Sequence, residues 1–462
     1  MQFLLMRKII IYSAVVTVAI IAFVGRHLSI TSSPGLINIQ KPTVEVVKIG
    51  EKYQLIRNGE PYFIKGAGTF VNLKDVKAFG GNSIRVWDTS DATRILDEAH
   101  EFGLTVNLGI WITRQREGFS FYNNKLLEDE LKRIKDIINR FKDHPALLMW
   151  SIGNEMSAGN PGIRMWDTLN KIAQLIHELD PNHPVSTPLF SVNIDQLKVI
   201  KKRCPDIDFI SFNVYGSLGS VSQELEAVGW DKPYLISEYG AKGYWESPQT
   251  SWGEPFEQNT TQKAEFIQER YAQFITDVDA CLGSYIFFWG YKMEKTHTWF
   301  SLMNEEGLKT EAIDILHYNW ENKWPDNRAP KIVNFGTVGY GIEESIYLKP
   351  GEIGETFVKA FDYEGDLLAY KWEILKETTL KDGSIEKQRK PRPLKNLMLT
   401  NGGDRVQWKA PEKTGAYRLF VTIYDGNGNV ASANVPFYVG NPQENTSFNV
   451  FSLLGSRFSN LF

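Results

Sequence analysis

Between Val44 and Trp324 the chain alternates eight short apolar runs with segments of helical period, and no other feature limits its fold so tightly. The runs are "PYFIKG" (Pro61–Gly66), "NSIRVW" (Asn82–Trp87), "LTVNLGIW" (Leu104–Trp111), "ALLMWSIG" (Ala146–Gly153), "PVSTPL" (Pro184–Leu189), "DFISFNVY" (Asp208–Tyr215), "PYLISE" (Pro233–Glu238) and "GSYIFFWG" (Gly283–Gly290). Runs of this kind are apolar on both faces, so both faces must be covered. Parallel strands joined by crossover helices achieve that. Eight such units predict a (β/α)8 TIM barrel over residues 44–325. The competing arrangement is a doubly wound open sheet. It calls for a Gly-rich phosphate turn after an early strand, and none is present.

The intervening segments support this. In "LLEDELKRIKDIINRF", Leu127, Leu131, Ile134, Ile138 and Phe141 share one helical face. Asp91 is the expected N-cap of the helix that runs up to Gly103. After Trp324 the period changes to two. Alternating runs from Lys331 to Val439, with turns such as "DGNGN" (Asp425–Asn429), predict an immunoglobulin-like β-sandwich at 331–440.

The termini differ from both domains. Arg7 and Lys8 precede an uncharged run, Ile9 to Gly25, followed by Arg26 and His27. Residues 1–27 are expected to be an uncleaved membrane anchor with Met1–Lys8 in the cytoplasm; the alternative is a cleaved signal peptide. Either reading makes the rest extracytoplasmic, periplasmic or extracellular, after a polar linker at 28–43. The tail, 441–462, is polar and then apolar. It is expected to fray, the alternative being docking on a partner or membrane. Cys204 and Cys281 each precede a strand and read as buried small hydrophobes rather than a bridge. The net charge of −4 gives no basic field for nucleic acid. Thirteen Trp are more than a core needs, so some are expected to line a binding surface.

In a barrel of this kind chemistry sits at the C-terminal ends of the strands. Those ends carry Arg85 and Trp87, Trp111, Asn154 and Glu155, Asn213 and Tyr215, Glu238, and then Trp289 and Tyr291. No His or Cys cluster joins them, so neither a metal nor a cofactor is expected. Two carboxylates, Glu155 and Glu238, end strands that face each other across eight staves. Surrounded by aromatic faces that stack on sugar rings, such a pair fits glycoside hydrolysis: one carboxyl protonates the leaving oxygen, the other attacks or activates water.

"HPALLMWSIGNE" (His144–Glu155) and "KPYLISEYGA" (Lys232–Ala241) resemble the acid/base and nucleophile motifs of glycoside hydrolase family 2. "GNSIRVW" (Gly81–Trp87), "FISFNVYG" (Phe209–Gly216) and "RNGEPYFIKGAGT" (Arg57–Thr69) are similar to its second, sixth and opening strands. The resemblance implies a retaining double displacement. Glu238 would be the nucleophile. Glu155 would be the acid/base, its pKa raised by burial and by Glu238. It further implies that Asn154 holds the sugar 2-hydroxyl, that Tyr215 and Arg85 orient Glu238, and that Trp289 floors the reacting subsite.

Family members carry two β-domains before the barrel, whereas here a sandwich follows it. A lone barrel also resembles β-1,3-glucanosyltransferases, which transfer glucan to another sugar. A β-glucan-like oligo- or polysaccharide is therefore the expected substrate, with hydrolysis and transfer both open. Tyr244, Trp245, Trp252 and Trp299 would extend an acceptor site or pack their own loops. A non-catalytic sugar-binding or export scaffold is the remaining alternative. Asp362, Glu364, Asp366 and Asp425 are hard oxygen donors that suit calcium, although their segments also read as ordinary turns.

Overall fold

The computed structural model describes residues 44–114, 117–156, 162–276, 278–378, 389–400 and 402–440. The apolar run Ile9–Gly25, the linker and the tail lie outside them. Among the described residues no helix is long and apolar enough to cross a membrane.

The described chain opens on a small antiparallel sheet: β1 (Val44–Ile49), β2 (Lys52–Arg57) and β3 (Glu60–Tyr62). Val44 and Leu55 pack on Ile64, Leu148, Phe209, Leu235 and Leu282, residues near the starts of five barrel strands. Two backbone bonds, Val44 N to Asn182 O and Tyr53 N to Asp279 O, fasten the sheet to loops that enter the barrel from below. It therefore caps the barrel end opposite the strand C-termini. Pro61 and Tyr62, expected in the first barrel strand, belong to β3 instead, because their partners are Ile56 and Leu55.

The barrel closes through β4 (Ile64–Gly68), β5 (Ser83–Val86), β6 (Thr105–Ile110), β7 (Leu147–Ile152), β8 (Val185–Leu189), β9 (Phe209–Asn213), β10 (Tyr234–Tyr239) and β11 (Cys281–Ile286). All eight pairings are parallel. A helix follows each strand in turn: α1 (Leu73–Ala78), α2 (Ala92–Glu101), α3 (Asn124–Phe141), α4 (Ile163–Leu179), α5 (Ile194–Arg203), α6 (Val221–Ala227), α7 (Thr260–Phe274) and α8 (Glu311–Glu321). Ile134, Ile138 and Phe141 of α3 are buried against the barrel, as their spacing requires. Asp91 does precede α2, but it makes no capping bond, because Arg94 draws its carboxylate into an ion pair at 2.6 Å. Cys204 and Cys281 are both free and buried.

The C-terminal strands form two sheets. One holds β12 (Lys331–Thr337), β14 (Ile353–Phe361) and β16 (Arg405–Lys409). The other holds β13 (Ile346–Leu348), β15 (Ala369–Lys376), β17 (Gly415–Tyr424) and β18 (Val430–Val439). Their inner faces meet in one core around Trp408, Ile374, Leu419 and Phe437.

A buried polar seam joins this sandwich to the loop after β11. Glu257 accepts from Lys263 (2.5 Å), Thr298 (2.8 Å), Thr296 (2.7 Å) and Asn434 of β18 (2.8 Å). Arg418 of β17 donates to the Asn434 side chain at 2.8 Å and to the Pro255 carbonyl at 2.8 Å. Burial alone would push the Glu257 carboxyl up, but the Lys263 and Arg418 charges outweigh it and hold the group below its usual value.

Candidate active site

The site is built from strand ends. Arg85 of β5 is 1% exposed, so its charge must be answered inside the protein. Its Nη1 donates to Glu238 Oε1 at 2.5 Å, and its Nη2 to Asn154 Oδ1 at 2.7 Å. Trp87 Nε1 donates to the same Glu238 oxygen at 2.8 Å. The Tyr215 hydroxyl donates to Oε2 at 2.9 Å. Three donors from two regions of the barrel thus converge on one carboxylate. Burial first, and then the Glu238 charge, push the Tyr215 phenol well up, so it keeps the proton it donates.

Glu155 is tied to the same network. Asn213 Nδ2 donates to Glu155 Oε1 at 3.0 Å and lies 3.2 Å from Asn154 Oδ1. Ser237, next to Glu238, orients Asn213 through a 2.8 Å bond to its Oδ1. The turn that presents Asn154 and Glu155 is unusual. Gly153 has φ 68, and Glu155, which is not glycine, has φ 52. The left-handed region costs a residue with a Cβ on the order of 1 kcal/mol or more. The Glu155 N–H bond to Pro188 O, 3.0 Å, helps hold the turn there.

Aromatic rings surround the pair. Phe287 meets Trp87 and Tyr215 edge-on, and Phe300 lies against Tyr215. Trp245 is 53% exposed and sets its ring edge against Tyr215 (5.5 Å) and Tyr244 (4.7 Å). The Glu246 carboxylate accepts from the backbone of Gly216 and Gly243, which ties the loop bearing Tyr215 to the loop bearing Trp245.

Arg85, Trp87, Asn154, Glu155, Asn213, Tyr215, Glu238 and Trp245 are therefore brought together. Others are not. Trp289 is fully buried and stacks on Trp320 of α8 (5.9 Å, 17°), with Phe79 at its edge. It packs the barrel against its helices and does not floor a subsite. The strand β11 ends at Ile286, and the ring that reaches the mouth is Phe287. Tyr291 is half-buried beside the charge of Glu305, not of the acidic pair. Trp111 stands one residue past the C-terminal end of β6, at the mouth, with the Arg114 guanidinium 4.5 Å from its ring and Arg133 donating to its carbonyl. Trp252 packs on Tyr347 and Tyr438 of the sandwich, and Trp299 is buried with its indole N–H on Lys242 O, so neither extends an acceptor site. Asp362, Asp366 and Asp425 bring carboxylate oxygens within 4.8 Å of one another, whereas Glu364 instead accepts the Arg328 N–H.

One acidic group in the mouth was not anticipated. Glu294, in the loop after β11, is 8% exposed and pairs with Lys292 at 3.6 Å. Burial, opposed by Lys292 and reinforced by the charges of Glu238 and Glu155, pushes its carboxyl up to about 7. The signal for it was an acidic residue eight positions past a strand end, which the reading of strand termini does not reach.

A (β/α)8 barrel whose strands β7 and β10 end in networked carboxylates has the build of the barrel glycoside hydrolases. Residues 80–312 match the model of the glycosyl hydrolases family 2, TIM barrel domain, and the chain belongs to that family. It is 23% identical over 264 residues to a β-glucuronidase of Chlorocebus aethiops, covering 49% of this chain and 39% of that one. It is 28% identical over 160 residues to a protein named probable mannan endo-1,4-β-mannosidase F in Aspergillus flavus, covering 29% of this chain and 34% of that one. A solved β-glucuronidase of Bacteroides uniformis aligns over 86% of this chain and 48% of its own, at 12% identity and TM-score 0.48. The chain spans less than half the length of these relatives.

Proposed function

We propose that the protein is a retaining β-glycoside hydrolase that cleaves oligo- or polysaccharide outside the cytoplasm. The observation that carries this is the convergence of Arg85, Trp87 and Tyr215 on Glu238, with Glu155 joined to it through Asn213 and Asn154. Among the described residues Glu238 Oε1 carries two donors and Oε2 one, which leaves Oε2 as the oxygen to attack. It bonds to the anomeric carbon as the bond to the leaving oxygen breaks, and Glu155 gives its proton to that oxygen. Glu155 then takes a proton from water, whose oxygen displaces Glu238 and restores both groups. Asn154 would bond the sugar 2-hydroxyl, a contact that tightens as charge develops.

The half-exposed Trp245, at the edge of Tyr215, favours transfer to a second sugar on a β-glucan-like chain as the alternative fate of the intermediate. Longer products from a β-glucan oligosaccharide, read by mass spectrometry, would mark transfer. For the retaining step the test is Glu155→Ala with an activated aryl glycoside and azide. The expected product is a β-configured glycosyl azide at a rate restored by azide. An α-configured azide would overturn the double displacement. The extracytoplasmic site rests on the apolar N-terminal run with its basic flank, read as a membrane anchor.

A further inference from the structure

We propose that the mouth is a cleft for the interior of a β-linked sugar chain laid from Phe70 to Phe190, with Phe70 under a sugar on the non-reducing side of the bond that breaks. The inference rests on the glycosidase reading and names the substrate class for that site: internal linkages of a chain, not single terminal sugars.

Apart from Phe63, the exposed Phe, Tyr and Trp rings of the described barrel all follow strand ends. They are Phe70 after β4, Tyr122 after β6, Phe190 after β8 and Trp245 after β10. Apolar side chains scattered singly over a surface need no explanation, but these share the face on which barrel chemistry occurs.

Strand order selects one pair of them. The closed order β10-β11-β4-β5-β6-β7-β8-β9 puts β4 and β8 at opposite ends of one diameter. That line leaves β5, β6 and β7 on one side and β9, β10 and β11 on the other. Glu155 follows β7 and Glu238 lies in β10. A chain laid from Phe70 to Phe190 therefore passes between the two carboxylates, as a bond attacked by one and protonated by the other must. Tyr122 and Trp245 mark the diameter from β6 to β10. Glu238 stands at one end of that line, so a chain along it is not flanked by the pair.

Contacts assign the two ends. Phe190 lies two residues past Pro188, whose carbonyl accepts the Glu155 N–H at 3.0 Å, so it is on the side of the proton donor and the leaving group. Phe70 packs on Phe288 at 5.5 Å, Phe288 packs on Trp87 at 6.2 Å, and the Trp87 indole donates to Glu238 at 2.8 Å. Phe70 is thus two ring contacts from the indole that holds the nucleophile, on the side away from β8. A ring there serves a sugar beyond the reacting one.

Phe70 is also fixed in place. Thr69 N donates to the Arg85 carbonyl at 3.1 Å, the Thr69 hydroxyl to the Trp289 carbonyl at 2.8 Å, and Arg94 to the Phe70 carbonyl at 3.2 Å. Arg94 is held in turn by Asp91 and Glu98, each at 2.6 Å. Although its ring packs on Phe288, Phe70 is 49% exposed. A ring held this way gains burial when a flat sugar face covers it and has little freedom left to lose.

The test compares kcat/KM for the 4-nitrophenyl β-glycosides of a monosaccharide and of its β-linked disaccharide, in the glucose, mannose and galactose series. Both carry the same leaving group, so the ratio isolates the second sugar. The disaccharide should win by at least about fivefold, the order that one aromatic stack supplies. Phe70→Ala should bring the ratio to about one, and Phe70→Trp should keep it. A ratio taken within one variant does not depend on its folded fraction. Early products from the β-linked hexasaccharides, read by mass spectrometry, should be disaccharide or longer. Calorimetry with the same hexasaccharides in a Glu238→Gln background reads the cleft without turnover. Adding Phe70→Ala or Phe190→Ala should weaken binding by about fivefold each. Such binding without turnover of any glycoside would discard the hydrolase reading and leave this inference standing. A ratio near one in the parent, a ratio that Phe70→Ala leaves unchanged, or monosaccharide as the first product would overturn the inference and leave the hydrolase reading intact. Failure of every hexasaccharide to bind would overturn it as well.

Discussion

Asp314 shows how a single buried residue couples the barrel to pH. It lies in the first turn of α8, is fully buried, and accepts the Ala329 N–H at 2.7 Å on one oxygen. Among the described residues its other oxygen has no hydrogen-bond partner. Burial, opposed by the Ala329 bond and Arg328, pushes its carboxyl from 3.8 up to about 7. Between those values the folded chain holds a proton that the unfolded chain has lost. Stability from this group is therefore complete below the unfolded value and is lost as pH rises toward 7. Asp314→Asn keeps an acceptor for Ala329 and abolishes the ionisation. Thermal melts should show the variant gaining on the parent as pH rises from 5 to 8, by on the order of a few kcal/mol. A stability difference that stays flat with pH would contradict the account. The same scale explains why Glu238 was easier to foresee than Glu294. Glu238 closes an apolar strand, where position alone aims a side chain. Glu294 depends on a loop path that only packing decides.

At the scale of elements, the turn after β7 makes the most specific demand. A Cβ added at Gly153 would meet Met156 Cγ at 2.5 Å, and φ 68 strains any residue with a side chain. Gly153→Ala should cost about 1–3 kcal/mol in chemical denaturation. It should also lower kcat by more than the unfolded fraction explains, because Asn154 and Glu155 hang from the same turn. Wild-type kcat in a folded variant would show that the turn does not set their geometry. Apolar runs and caps made the eight strands and their helices legible, since a strand buried on both faces has little compositional freedom. The β1–β3 sheet was hidden in them because its residues, such as Pro61 and Tyr62, continue the apolar pattern of the strand they precede. Trp289 was misplaced for a related reason. Phe287, Phe288 and Trp289 are consecutive and all large, and only packing against Phe79 and Trp320 decides which ring leaves the mouth.

For the whole molecule, the sandwich is more than an appendage. Asn434, Arg418 and Thr378 reach across to the loop that carries Glu294, through Glu257 and the Lys295 carbonyl. Alternation made the strands of this domain readable, but not their contact with the barrel, because residues far apart in sequence share the seam. The barrel supplies the carboxylates, the N-terminal sheet closes its base, and the sandwich braces one wall of the mouth. The central claim is that Glu238 becomes covalently bound to sugar. It is tested most directly by incubating the protein with 2-deoxy-2-fluoro glycosides of glucose, mannose and galactose, followed by peptide mass mapping. A fluoroglycosyl mass on the peptide containing Glu238, and its absence in Glu238→Gln, is the result expected. An adduct on another residue, or undiminished turnover in Glu238→Gln, would contradict the account.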